Sequence, residues 1–102
     1  MMKNAMKSAV IKGAASGIFV VKNDRGLHTR PCTELVKCAA GFKSQVRLCY
    51  QKSEVNAKSL LGILMLAASK GAKIAVAADG EDAQEAVDSI ILLARNNFNI
   101  KY

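Results

Sequence analysis

The chain has no tryptophan, one proline, one histidine and only eight acidic residues against fifteen basic ones in 102 positions. Each shortage narrows the field. Three Phe and two Tyr are the whole aromatic content, too few for the stacking rows with which sheet-based RNA and single-strand binders hold bases. A small basic nucleic-acid-binding module is therefore kept only as the alternative from another class, motivated by a formal charge of +7 and a pI near 9.6. Cys32, Cys38 and Cys49 contain no C-x-x-C pair. They read as small core or sheet residues in a reducing cytosol. His28 and Cys32 stand four apart, but two potential ligands do not make a site, so no metal and no cofactor is expected. No apolar run approaches the roughly eighteen residues of a bilayer span. Lys12 and Lys22 break the runs near the start, so neither a membrane segment nor a signal peptide is expected and the chain is placed in the cytoplasm.

A chain of this length holds one core and not two. Residues 1–15, with Lys3, Lys7 and Lys12 among small and apolar residues, read as a basic, flexible extension, and Met2 or Met6 as the real start would equally explain them. Residues 16–102 read as a single domain. The excess of positive charge points to an acidic partner.

What the chain does have is concentrated in Gly26-Leu27-His28-Thr29-Arg30-Pro31. From Cys32 onward Leu35, Val36, Ala39 and Ala40 repeat with the spacing of a core-facing helix. Pro31 suits a first helical turn, where a missing N–H costs nothing, and so sets the helix start beside His28. A helix start offers unpaired N–H groups and the positive end of the macrodipole, which together favour a bound anion. A neutral imidazole is the form that attacks phosphorus. The dipole contributes roughly 0.3–2 kcal/mol to a phosphate held there, and a charge-assisted bond from Arg30 about 1.5–3 kcal/mol. Sums of that size suit a carrier that must release its cargo.

The remaining elements follow in order. Ser16–Lys22 reads as a strand ending at Asn23-Asp24; Gly41 is expected to cap the first helix; Gln45–Tyr50 and Glu54–Ala57 form a hairpin. Ser59 is placed to cap a short helix, Leu60–Leu66, whose apolar residues occupy every side. Complete burial is hard in so small a domain, so Leu60, Leu61 and Leu64 stand as candidates for either core or an apolar docking patch. Ala72–Ala78 is a further strand. The last helix is expected from about Glu81 to Asn96 or Asn97, with Glu81 and Asp82 in its first turn and Ala83, Ala86, Val87, Ile90 and Ala94 facing inward. The order is β-α-β-β-α-β-α, an α+β arrangement with helices on one face of the sheet.

The histidine stretch with Leu35-Val36-Lys37 resembles the active-site signature of HPr, the histidine-containing phosphocarrier of the phosphoenolpyruvate-dependent sugar phosphotransferase system. Val55-Asn56-Ala57-Lys58-Ser59-Leu60-Leu61-Gly62 and Ala77-Ala78-Asp79-Gly80-Glu81-Asp82-Ala83 extend the resemblance, which covers about Gly17 to Phe98. It implies an open-faced β-sandwich of four antiparallel strands and three helices. It also implies a phosphocarrier intermediate rather than a stand-alone catalyst: His28 phosphorylated on Nδ1 by enzyme I, Thr29 and Arg30 holding the phosphate, and transfer onward to an enzyme IIA domain. Ser59 corresponds to the regulatory site of HPr kinase/phosphorylase where an organism has that enzyme. Leu60, Leu61 and Leu64 fall on the family's docking surface, rimmed by Lys37 and Arg30, which turns the open choice towards exposure. A monomer is expected. A regulatory or nitrogen-type HPr paralogue is the alternative within the family.

Overall fold

The computed structural model describes residues 14–100; of the basic extension expected over residues 1–15, the first thirteen lie outside the described part, and Ala14 and Ala15 belong to a strand instead. Seven elements and a final turn follow: β1 (Ala14–Val20), α1 (Thr29–Ala40), β2 (Gln45–Tyr50), β3 (Ser53–Asn56), α2 (Leu60–Met65), β4 (Lys73–Asp79), α3 (Ala83–Arg95) and a 3₁₀ turn at Asn97–Asn99. The expected β-α-β-β-α-β-α order is present. The strands form one antiparallel sheet in the order β1-β4-β2-β3.

Period-two alternation divides the sheet into two faces. Phe19, Val46, Leu48, Ile74, Val76 and Ala78 point to the helices and are buried, where they meet Leu35 and Ala39 of α1, Ile63 of α2, and Ala86, Val87 and Ile90 of α3. Phe98 closes the core, its ring edge-on to Phe19 at 6.1 Å. Helix α3 lies close over β1 because Gly17 has no side chain: a Cβ there would come within 2.5 Å of Ile91 Cδ1. The other face of the sheet is open. Its rows are set by register, Ser16–Ala77–Arg47–Asn56 and Ile18–Ala75–Cys49–Glu54, with Arg47 2.8 Å from Asp79 and 3.7 Å from Glu54. Among the described residues no aromatic side chain lies on that face, so the stacking platform that the nucleic-acid alternative requires is missing there.

Four sequence expectations need correction. β1 starts at Ala14 and ends at Val20, two residues ahead of its expected span at each end. Gly41 is right-handed, at φ −74°; its N–H bonds back to the Cys38 carbonyl at 3.2 Å and the Phe42 N–H to the Ala39 carbonyl at 3.1 Å, so the first helix ends without a left-handed glycine cap. Ala40, expected in the buried stripe, is exposed. Helix α3 begins at Ala83, and Glu85 is the one acidic residue in its first turn. Asp82 is occupied elsewhere: its carboxylate accepts the N–H groups of Lys43 and Ser44, at 2.9 and 3.0 Å, and the Ser44 hydroxyl. Those bonds hold the Asp82 carboxyl well below its usual range, at about 2.

Candidate phosphate-carrying site

His28 is the N-cap residue of α1, in extended conformation and half-buried. The first intrahelical bond runs from the Cys32 N–H to the His28 carbonyl, 3.1 Å. Pro31 has no N–H, so the amides of Thr29 and Arg30 are the donors this helix start leaves without an intrahelical acceptor. Thr29 and Arg30 are both exposed, and the Thr29 carbonyl accepts the Thr33 hydroxyl at 2.8 Å. The site therefore presents an imidazole, two consecutive backbone donors and a guanidinium at one helix tip.

The loop that delivers His28 is stitched to the chain leaving α2. Val21 donates to the Ala72 carbonyl at 2.9 Å and accepts from Gly71 at 2.8 Å; Leu27 donates to the Ala68 carbonyl at 2.9 Å. Asp24 pairs with Lys70 at 2.8 Å, and the bond to the ammonium holds the Asp24 carboxyl below its ordinary value. Gly26 closes the turn, its N–H on Asn23 O at 2.9 Å and its carbonyl accepting His28 N–H at 3.0 Å. At φ +68° it sits where L side chains are rarely found, and a Cβ would collide with the Ala68 carbonyl oxygen and lie 2.8 Å from Ser69 Cα. Only glycine lets this loop close on the α2 exit.

Cys32 secures the loop from inside. Its Sγ donates to the Leu27 carbonyl at 3.4 Å, and burial pushes the thiol up to about 11. The sulfur is thus a packed, protonated anchor. Among the described residues no group of three or more His, Cys, Asp and Glu side chains is arranged to hold a metal.

The other candidates fall around this tip and beyond it. Ser59 caps α2 as expected, its Oγ accepting the Gly62 N–H at 3.0 Å. On α2, Ile63 is fully buried, whereas Leu60 is exposed, Leu61 is 68% exposed and Leu64 is half-buried against the core. Met65, which sequence reasoning left out, is 74% exposed and extends the apolar surface. The Leu27–Ala68 bond sets His28 beside the end of that helix. Lys37 is farther along α1, 3.2 Å from Glu34, lining a groove with Ser89 and Leu92 of α3.

With the site in view, comparison with known proteins is decisive. The family profile described as "PTS HPr component phosphorylation site" matches residues 15–96. The chain belongs to the HPr family. It is an HPr-type phosphocarrier of the phosphotransferase system. The phosphocarrier protein HPr of Xylella fastidiosa (strain 9a5c) is 42% identical over 81 residues, covering 79% of this chain and 91% of the relative. Among solved structures, HPr-C-His from Thermoanaerobacter tengcongensis superposes with a TM-score of 0.81 at 33% identity, covering 86% of this chain and 99% of that one. An HPr dimer from the same organism matches with a TM-score of 0.67 at 34% identity, over 91% of this chain and 98% of that one. The open-faced α+β sandwich expected from the HPr-like signatures is the architecture of these structures. No helix among the described residues is long and apolar enough to cross a membrane.

Proposed function

We propose that this HPr carries a phosphoryl group on Nδ1 of His28, receiving it from enzyme I and passing it to an enzyme IIA domain in the cytoplasm. The observation that carries the reading is the helix tip, where the one histidine of the chain adjoins the only two α1 amides without an intrahelical acceptor. As the new N–P bond forms, the bond from phosphorus to the donor group on enzyme I breaks with its electron pair. The phosphoryl oxygens then face the Thr29 and Arg30 amides and the Arg30 guanidinium. Leu60, Leu61, Leu64 and Met65 supply an apolar contact for the partner, with Arg30 and Lys37 as positive groups that steer an acidic surface and release it after transfer. The carrier works as a monomer.

Ser59 is proposed as a regulatory phosphorylation site for HPr kinase/phosphorylase. A phosphate on Ser59 puts a dianion beside the apolar surface of α2, where it opposes a phosphorylated, acidic partner while leaving the helix cap intact. The test of the main reading mixes the purified protein with enzyme I, Mg²⁺ and labelled phosphoenolpyruvate. An acid-labile label that disappears in His28→Ala supports it. Stable labelling of the His28→Ala protein overturns the assignment.

A further inference from the structure

The second surface with a chemistry of its own lies at the outer edge of β1. Natural edge strands are kept short, charged or interrupted by proline to prevent unwanted pairing. At the other edge of this sheet β3 has four residues, Glu54 among them. β1 has seven, reads AASGIFV, and contains neither charge nor proline. Val21 turns both its N–H and its C=O toward the start of β4. By alternation, the N–H and C=O groups of Ser16, Ile18 and Val20 point outward from the sheet.

Alongside this edge runs a groove of about 180 Å³, between Ile18 and Val20 on the strand and Ile91 and Ala94 on α3. Ile18 is 63% exposed and Val20 40%. Lys22 and Arg95 stand at the groove's rim, both exposed, and neither has a carboxylate within ion-pair distance among the described residues. We propose that the outer edge of β1, with this groove and its two cations, is a docking site for an extended acidic-and-aliphatic segment of a partner protein, which adds to the sheet as a fifth strand. Backbone bonds to Ser16, Ile18 and Val20 supply the pairing, an aliphatic side chain fills the groove, and a carboxylate meets Lys22 and Arg95. Charge selects this occupant over a second copy: two chains of formal charge +7 repel, whereas an acidic segment is drawn in.

The test uses the full-length protein labelled with ¹⁵N and an N-acetylated, C-amidated hexapeptide of alternating valine and glutamate. The expected result is saturable shifts in the amides of Ser16, Ile18, Val20, Lys22 and Arg95. Combining Lys22→Glu with Arg95→Glu should weaken binding about tenfold or more. Of two peptides N-methylated on complementary alternate residues, one should lose binding and the other keep it, since only one set of amides faces the edge. The inference is overturned if millimolar peptide leaves β1 unshifted, if a valine–lysine peptide binds equally well, or if neither N-methylated peptide differs from its parent. It is equally overturned if the Ser16 and Ile18 amides of the protein alone resist hydrogen exchange, which would mean that a second copy or the chain's own first residues already occupy the edge.

Discussion

Gly26→Ala isolates the link between the fold and the histidine. The substitution places a Cβ on a backbone at φ +68°, and the left-handed region costs a residue with a side chain about 1–2 kcal/mol. The methyl also collides with backbone atoms of Ala68 and Ser69, which cannot swing aside as a side-chain end would; forcing such a site open adds about 1–3 kcal/mol. The expected loss is about 2–5 kcal/mol, within the stability of about 5–15 kcal/mol that domains commonly have. The protein should therefore fold at 25 °C but melt roughly 8 °C or more lower. Gly71→Ala is the control. Its φ is +91°, yet a Cβ there meets nothing within 4 Å, so it pays only the conformational cost of about 1–2 kcal/mol. Thermal unfolding followed by circular dichroism gives both numbers. Transfer separates the two variants further. Opening the Gly26–Ala68 contact shifts His28 against its partner, and a displacement near 1 Å can cost about a hundredfold in rate, whereas Gly71→Ala leaves His28 in place. Equal melting temperatures for the two variants, or a Gly26→Ala protein that accepts phosphate from enzyme I at the wild-type rate, would refute the argument.

Three further outcomes are expected. Ser59→Asp should retard phosphorylation of His28 by enzyme I with little change in melting temperature, because aspartate is itself a good cap; Ser59→Ala should do the reverse, losing about 1 kcal/mol with the Gly62 bond, and equal transfer rates for Ser59→Asp and wild type would count against the proposed regulation. Leu61→Asp should slow transfer while changing stability by no more than about 0.5 kcal/mol, since the side chain is mostly in water; an unimpaired rate in the enzyme I assay would remove α2 from the docking surface. Asp82 should make folding acid-sensitive in a defined window: its folded value of about 2 lies below the ordinary carboxyl value of 3.8, so its contribution is fully present above about pH 4 and is lost as pH falls towards 2. The stability gap between wild type and Asp82→Asn, read from thermal melts, should then narrow across that window, and a gap as wide at pH 2 as at pH 7 would show that the carboxylate's charge is not what matters.

Periodicity and capping chemistry made most of the elements readable, and they did so where the determining contacts are local. The Val46–Leu48–Tyr50 alternation predicts β2 at its observed bounds, and Ser59 caps α2 because its acceptor is three residues away. Acidic residues before an apolar stripe look like first-turn residues, yet α3 starts only after Asp82, which is drawn to amides 38 and 39 residues earlier in the chain. Gly41 failed for a related reason: glycine permits the left-handed cap but does not require it. For α2, a helix apolar on all sides carries no directional signal, and only the packed chain distinguishes Ile63 in the core from Leu61 and Met65 in water.

The same distinction applies to the site. His28, Arg30 and Pro31 are legible because a helix start is a local event, but what holds that start in position is not. The Leu27–Ala68 bond and the Asp24–Lys70 pair join residues more than forty apart, and the Ala68 contribution is a backbone carbonyl that no residue type announces. Gly26 is the trace of it in the sequence, a glycine that its positive φ and the passing Ala68–Ser69 backbone both require. The loop that carries the imidazole is therefore fixed to the exit of the helix that carries Leu61 and Met65. On the proposed reading, a partner docked on that helix would meet a histidine whose distance from the docking surface is set by backbone hydrogen bonds rather than by flexible side chains, so that transfer could be fast without the carrier holding its phosphate tightly.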